Sequence, residues 1–283
     1  MPYRLDLADG GDDACDRLID LGAFDVEVSD DGRIAALMPD SVPPQQVAAA
    51  LAVVSVSVSP ARGRDAGSVW ILRPRPMQVG PIQIIPASTS EPALSTAATS
   101  LAAGARDEVT ASRTLRLIDA AAFGTGRHPT TALVLEAIDQ IVRFSSPAAV
   151  LDVGTGSGVL ALAALLLGVP EAHAIDIDPV ALDVTAENAR LNHLGGRVRL
   201  AHGGPEIVTG RWPLVVANVL AAPLMEMAPA LVQRVGHHGF LVLSGIPVSV
   251  EPDLDRTYRR LGMRRVRALT RGGWVALVFQ ATW

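Results

Sequence analysis

The sequence predicts an α/β chain: a small N-terminal ferredoxin-like α+β domain, then a seven-stranded, doubly wound, Rossmann-like sheet. Three observations carry this expectation. From residue 148 onward, short apolar runs alternate with helical patterns, five βα units in all, and end in a hairpin. The first of those runs opens into a loop with glycine at alternate positions, Gly154, Gly156 and Gly158. The first 60 residues order themselves as strand, helix, strand, strand, helix, strand.

Taking the elements in order, Tyr3–Leu7 alternates as a strand and residues 12–21 read as a helix. Residues 24–29 form a second strand, and Asp30-Asp31-Gly32 is a hairpin turn leading to a third at 33–38. A helix over 43–52 opens on Ser41 and proline, and 53–59 alternates valine with serine as an outer strand does. RNA-binding domains share this order but stack bases on strand aromatics, and the 33–38 strand has none. Residues 60–86 are rich in proline and arginine, with strand-like pieces at 69–72 and 82–85. Residues 87–112 are dominated by Ala, Ser, Thr and Gly and read as a flexible connector. The boundaries expected are therefore 1–60, a connector over 61–113, and 114–283.

Beyond the connector, strands are expected at 148–153, 172–177, 198–202, 214–217 and 240–243, with helices at 159–167, 179–191, 222–235 and 248–261. Asp178-Pro179 supplies an N-cap and a first-turn proline for the second of these helices. The terminal hairpin pairs 265–269 with 274–280 across Arg271-Gly272-Gly273. A six-stranded, all-parallel dinucleotide fold accommodates that hairpin less well.

Bulk numbers bound the rest. At 283 residues, 49% apolar and 19% charged, the chain is globular and long enough for two domains. All 24 basic residues are arginine, which with the many alanines and valines reflects genome composition. The lone Cys15 excludes an internal disulfide or a cysteine-cluster metal site and fits a reducing cytoplasm. No metal is expected. The charged, alternating start (Met1 to Leu7) is no signal peptide, and the longest apolar run, 159–167, is too short to cross a bilayer. A cytoplasmic protein without a membrane partner is the expectation. Residues 1–60 carry 11 acids against Arg4, Arg17 and Arg33, which argues against direct nucleic-acid binding and permits a basic partner. A merely solvated acidic face is the alternative.

The glycine loop points to chemistry. A buried strand ending at Val153, a tight glycine turn and a helix opening near Val159 let a ligand lie against bare backbone and free N–H groups. Asp176 follows Gly156 by 20 residues at the end of the next strand, where a carboxylate can take both hydroxyls of a ribose. A dinucleotide fingerprint needs a small residue where this chain has Val159. The pattern is D-x-G-x-G-x-G, with Asp152 leading. It suits S-adenosyl-L-methionine, whose amino group and sulfonium are cationic; a dinucleotide is the weaker alternative.

Two further segments flank the loop. Ala122-Phe-Gly-Thr-Gly-Arg-His-Pro-Thr-Thr131 fixes an irregular turn before a helix, where its threonines can cap the helix or touch a cofactor. His128 there reads as a structural hydrogen-bonding group. Val215-Val-Ala-Asn218-Val-Leu-Ala-Ala-Pro223 puts an asparagine at the C-terminal end of a central strand, facing the ligand crevice. Asn218 can accept the N–H bonds of an amine and aim its lone pair for in-line methyl transfer. Its alternative role is to cap the following helix.

Together, Phe-Gly-Thr-Gly-Arg-His-Pro-Thr-Thr, Val-Leu-Asp-Val-Gly-Thr-Gly-Ser-Gly, Ile-Asp-Ile-Asp-Pro, Val-Ala-Asn-Val-Leu and Leu-Ser-Gly-Ile resemble the ribosomal protein L-eleven (L11) methyltransferase family over about 114–279. The resemblance implies methyl transfer from S-adenosyl-L-methionine to lysine side chains and the N-terminal amine of that ribosomal protein; a monomer is expected. It implies cofactor contacts at Thr131, Gly154, Asp176 and Asn218, with Asn218 also facing the amine, and a substrate-recognition role for residues 1–60. The glycine-loop reading adds Asp152 and Gly156 to the cofactor contacts. Alternatives from the same residues are another protein lysine or a small amine as acceptor, or a silent cofactor-binding module.

Overall fold

The computed structural model describes residues 3–8, 14, 17–18, 21–23, 25–28, 33–39, 41–53, 56–60, 77–87, 113–118 and 129–283. The chain divides into two compact units, Met1–Pro74 with Thr270–Val275, and Arg75–Leu269 with Ala276–Trp283.

In the first unit, β1 (Tyr3–Leu7), β2 (Asp25–Val28), β3 (Ile34–Met38) and β4 (Ser57–Pro60) form an antiparallel sheet in the order β2-β3-β1-β4. Ala14, Arg17 and Leu18 are helical, and α1 spans Pro44–Leu51. This is the ferredoxin-like arrangement expected from the element order. Period-two alternation in β1 turns Tyr3, Leu5 and Leu7 inward onto Leu18, Ile34, Met38, Val47 and Leu51. The Tyr3 hydroxyl leaves that core by donating to the Val42 carbonyl at 2.7 Å. Most of the expected first helix and the whole of the Asp30–Gly32 turn lie outside the described residues.

The second unit holds two sheets. Within the stretch that sequence alone treats as a connector, β5 (Met77–Val79) and β6 (Ile82–Pro86) pair antiparallel, and β6 runs parallel to β7 (Arg113–Leu117). Burial explains these strands: Val79, Ile82, Ile84, Leu115 and Leu117 join the main hydrophobic core. Residues 69–72 and 88–112 lie outside the described residues.

The larger sheet comprises β8 (Ala149–Val153), β9 (Glu171–Asp176), β10 (Val198–His202), β11 (Trp212–Asn218), β12 (Val235–Pro247), β13 (Met263–Arg271) and β14 (Trp274–Ala281). Its order is β10-β9-β8-β11-β12-β14-β13. The pairs β10/β9, β9/β8, β8/β11 and β11/β12 are parallel. The helices between them are α2 (Pro129–Ser145), α3 (Val159–Leu167), α4 (Pro179–Leu191), α5 (Ala221–Glu226), α6 (Ala228–Arg234) and α7 (Glu251–Arg260). α3 is apolar all round because it is covered all round, by β7, β8, β9 and α2.

Two departures from the expected elements have a common cause. The helix expected over 222–235 is two, α5 and α6, and the helix expected over 248–261 is a 3₁₀ turn (Val248–Val250) followed by α7. Pro229 and Pro252 sit in the first turns of α6 and α7, where they offer no N–H to a preceding turn, so each starts a helix and cannot continue one.

Candidate functional site

The C-terminal ends of β8, β9 and β11 bring the expected residues into one neighbourhood. β8 passes into the glycine loop, where Gly154, Gly156 and Gly158 adopt φ of 72°, 56° and 81°. Such angles are open to glycine and strained for other residues. The loop is tied down on three sides. Gly154 and Thr155 donate their N–H groups to the Ile175 carbonyl at 2.9 and 3.1 Å. Thr185 of α4 donates its hydroxyl to the Gly156 carbonyl at 3.0 Å. Asn188, fully buried, donates from Nδ2 to the Ser157 carbonyl at 2.8 Å and accepts the Ile118 N–H at 2.7 Å. One side chain thus joins the glycine loop to the residue that follows β7.

Asp176 fastens the same loop from the end of β9. Its Oδ2 accepts the Gly156 N–H at 2.9 Å and its Oδ1 accepts the Asp178 N–H at 3.0 Å. Each carboxylate oxygen keeps a further lone pair, and the residue is only partly buried. Asp178 caps α4 by accepting the Val180 N–H at 2.9 Å, as its sequence predicts.

Asp152 is wholly buried at the end of β8. Its Oδ2 accepts the Thr155 hydroxyl at 2.8 Å and the Ala161 N–H at 3.2 Å, while Oδ1 has no hydrogen-bond partner. Burial pushes its pKa up to about 7; the Thr155 and Ala161 bonds oppose that rise, and the charge of Asp176 adds to it. A buried carboxylate with one oxygen uncommitted is matched to a cationic group.

Across the sheet, Val153 pairs with Ala217, so Asn218 stands beside the first loop glycine at the end of β11. Asn218 is nine-tenths buried. Its Nδ2 donates to the Thr131 hydroxyl oxygen at 3.4 Å, and its Oδ1 has no partner. The helix α5 takes Leu220 as its N-cap, with no side-chain cap bond, so Asn218 is not the cap. Thr131 is fully buried in the first turn of α2 with its hydroxyl committed to Asn218. Residues 121–128, including His128, lie outside the described residues.

Sequence reasoning missed the residues that shape this turn. Gly245 (φ 86°) lies where a Cβ would stand 2.1 Å from the Val219 carbonyl oxygen, and a Cβ on Gly154 would stand 2.5 Å from Val219 Cγ1. The Val219 turn fits between its neighbours because both positions lack a side chain. The Leu-Ser-Gly-Ile motif held a signal for Gly245, since a glycine inside a strand marks a bulge or a close backbone approach.

Among the described residues no cluster of three or more metal-ligating side chains occurs. The donor set instead fits S-adenosyl-L-methionine: a glycine cradle, a partly exposed carboxylate beside it, and buried unpartnered oxygens on Asp152 and Asn218.

The family model described as ribosomal protein L11 methyltransferase (PrmA) matches residues 45–282. The chain belongs to this family. A relative from Methylococcus capsulatus named ribosomal protein L11 methyltransferase is 47% identical over 156 residues, covering 55% of this chain and 52% of that one. Another of that name from Pelobacter propionicus is 35% identical over 228 residues, covering 79% and 69%. The chain spans little more than half the length of the first curated relatives it matches. A crystal structure of a ribosomal protein L11 methylase from Lactobacillus delbrueckii subsp. bulgaricus superposes with a TM-score of 0.63 at 26% identity, covering 74% of this chain and 99% of that one. Over about three quarters of this chain the fold is thus held in common with a family member of known structure.

Proposed function

We propose that this chain is a protein N-methyltransferase that moves methyl groups from S-adenosyl-L-methionine to lysine side chains and the N-terminal amine of ribosomal protein L11. The observation that carries the proposal is Asn218: nine-tenths buried at the end of a central strand, its amide nitrogen held by Thr131 and its Oδ1 unpartnered. An unsatisfied buried acceptor costs about 1–3 kcal/mol, so a donor belongs there. A neutral amine supplies one.

Bound S-adenosyl-L-methionine would present an electrophilic methyl on a sulfonium. The chain's own residues do the rest. Gly154 and Gly156 offer bare backbone, Asp176 has lone pairs for ribose hydroxyls, and Asp152 Oδ1 can take a cationic group. Asn218 Oδ1 accepts an amine N–H and so fixes where the lone pair points; the gain is proximity and orientation. Residues 1–60 act in acceptor recognition and 114–283 in catalysis, with the enzyme working as a cytoplasmic monomer. Among the described residues no helix is long and apolar enough to cross a membrane.

Incubating the purified protein with labelled cofactor and undermethylated ribosomes, then identifying the labelled polypeptide by mass spectrometry, tests the proposal. Label in L11 is expected. Label confined to another protein would move the activity to a different acceptor, and cofactor binding without any transfer would leave a binding module. Asp176→Ala should weaken cofactor binding at least tenfold, because the substitution removes two loop bonds and the ribose acceptor together. Unchanged calorimetric affinity would remove Asp176 from the site.

A further inference from the structure

Positive charge in this chain is concentrated far from the glycine loop. Residues 256–267 contain six arginines and no acid. Arg256, Arg259, Arg260 and Arg265, with Glu251, Pro252 and Asp255, line an open groove of about 680 Å³ between α7 and the start of β13. Arg264 and Arg267 lie beside the groove residue Arg265 on β13, the edge strand of the sheet, with every residue from 264 to 268 exposed.

The groove's carboxylates hold its arginines in place. Asp255, buried beneath them, lies 3.7 Å from Arg259 and 3.5 Å from Arg265; Glu251 pairs with Arg265 at 2.8 Å, and Asp253 with Arg256 at 3.2 Å. Arg260 makes no ion pair or hydrogen bond among the described residues. Among the described residues Arg264 and Arg267 bond only the neutral side chains of Gln280 and Gln140, at 2.7 and 2.6 Å. The four guanidinium groups of the groove thus stand against three carboxylates, with two more on the adjoining strand, leaving a net positive surface on which the paired forks are already oriented.

Two ordinary explanations account for part of this pattern. Basic residues at the end of α7 complement its dipole, and charges on an edge strand discourage sheet-to-sheet pairing. Neither requires the helix and strand arginines to converge on one groove.

We infer that this groove binds the phosphodiester backbone of a nucleic-acid duplex. The lining decides the class of partner. Among the described residues Pro252 is its only apolar lining and no aromatic lines it, whereas protein interfaces are anchored on apolar and aromatic side chains. Nucleic-acid interfaces are polar and strongly positive. Without an aromatic there is no platform for unstacked bases, so the contact is to the backbone of a duplex and carries no sequence preference. The acidic residues 1–60 argue against nucleic acid at their own surface only, and this groove lies in the other unit.

Fluorescence anisotropy with a labelled RNA duplex, a DNA duplex of the same sequence, an oligoglutamate peptide and inorganic phosphate tests the inference. Both duplexes should bind, with affinity falling on a log–log salt plot with a slope of about −2 to −4. The double variant Arg256→Gln/Arg260→Gln should lose about tenfold in duplex affinity and reduce that slope by about 2 units. Arg260→Gln alone, exposed and unpaired, should lose about threefold with an unchanged melting temperature. Methyl transfer to free L11 should be the same in all variants, which separates this inference from the proposed activity. Duplex binding that the variants leave intact would overturn it, as would oligoglutamate displacing the duplex or phosphate alone binding as tightly.

Discussion

At the scale of single residues, Asp152 is the group whose chemistry is least expected of an aspartate. Buried, with one oxygen bonded twice and the other unpartnered, it is held near pKa 7. Its unfolded-state value is about 3.8. Raised in the fold, this carboxyl favours the native state fully below the unfolded value, and that advantage is lost as pH rises from about 4 to about 7. Asp152→Asn should therefore melt higher than the parent at pH 8, with the difference shrinking toward pH 5 in a calorimetric scan. Binding has the opposite sign. A cation placed on Oδ1 favours the charged carboxylate, so cofactor affinity should rise about tenfold between pH 6 and pH 8 with release of a proton. Titrations in buffers of different ionisation enthalpy would read that proton directly. A flat affinity profile in the parent, or the same rise in Asp152→Asn, would take Asp152 out of cofactor binding.

At the scale of elements, the site depends on turns that only glycine allows. Gly245→Ala places a methyl against the Val219 carbonyl, a backbone atom that no rotamer change can move, so the turn carrying Asn218 must shift. Gly168→Ala is the matched control: φ is positive there as well, 119° against 86° at Gly245, but nothing lies within 4 Å of the added carbon. The control should lose only the cost of a left-handed residue, about 1–2 kcal/mol, with methyl transfer unchanged. Gly245→Ala should lose a similar amount or more and at least tenfold in turnover; equal turnover in the two variants would mean that the Val219 turn does not position Asn218. These contrasts also show what was legible in the sequence. Gly154, Gly156 and Gly158 follow an apolar strand at alternate positions, and Asp178-Pro179 is a local cap, so both could be read along the chain. Asn188 acts across 31 residues, on Ser157, and no local pattern distinguishes it from an ordinary helix asparagine; Gly245 acts across 26, on Val219, and its place inside a strand signals a close approach without naming the partner. The breaks at Pro229 and Pro252 were local and could have been found, since a proline among helical residues either starts a helix or ends one.

At the scale of the whole molecule, charge is divided by position in the chain. The first 60 residues carry 11 acids and three arginines, while the remaining 223 carry 18 acids and 21 arginines. If residues 1–60 recognise a basic acceptor, association with that acceptor is steered by charges that salt screens over about 8–10 Å at physiological strength. In the proposed site, cofactor binding would rest on a different kind of contact, a buried carboxylate and backbone groups around the glycine loop, which salt reaches much less. The two steps should therefore separate in one experiment. Raising sodium chloride from 50 to 300 mM should raise KM for L11 severalfold, leave kcat within a factor of two, and leave the cofactor Kd unchanged. Neutralising Asp6, whose carboxylate is paired with Arg4 within β1, should shift KM little, because that charge is already answered inside the unit. A KM indifferent to salt would show that the acidic segment is a solvated face, and acceptor recognition would then have to be sought in the other unit.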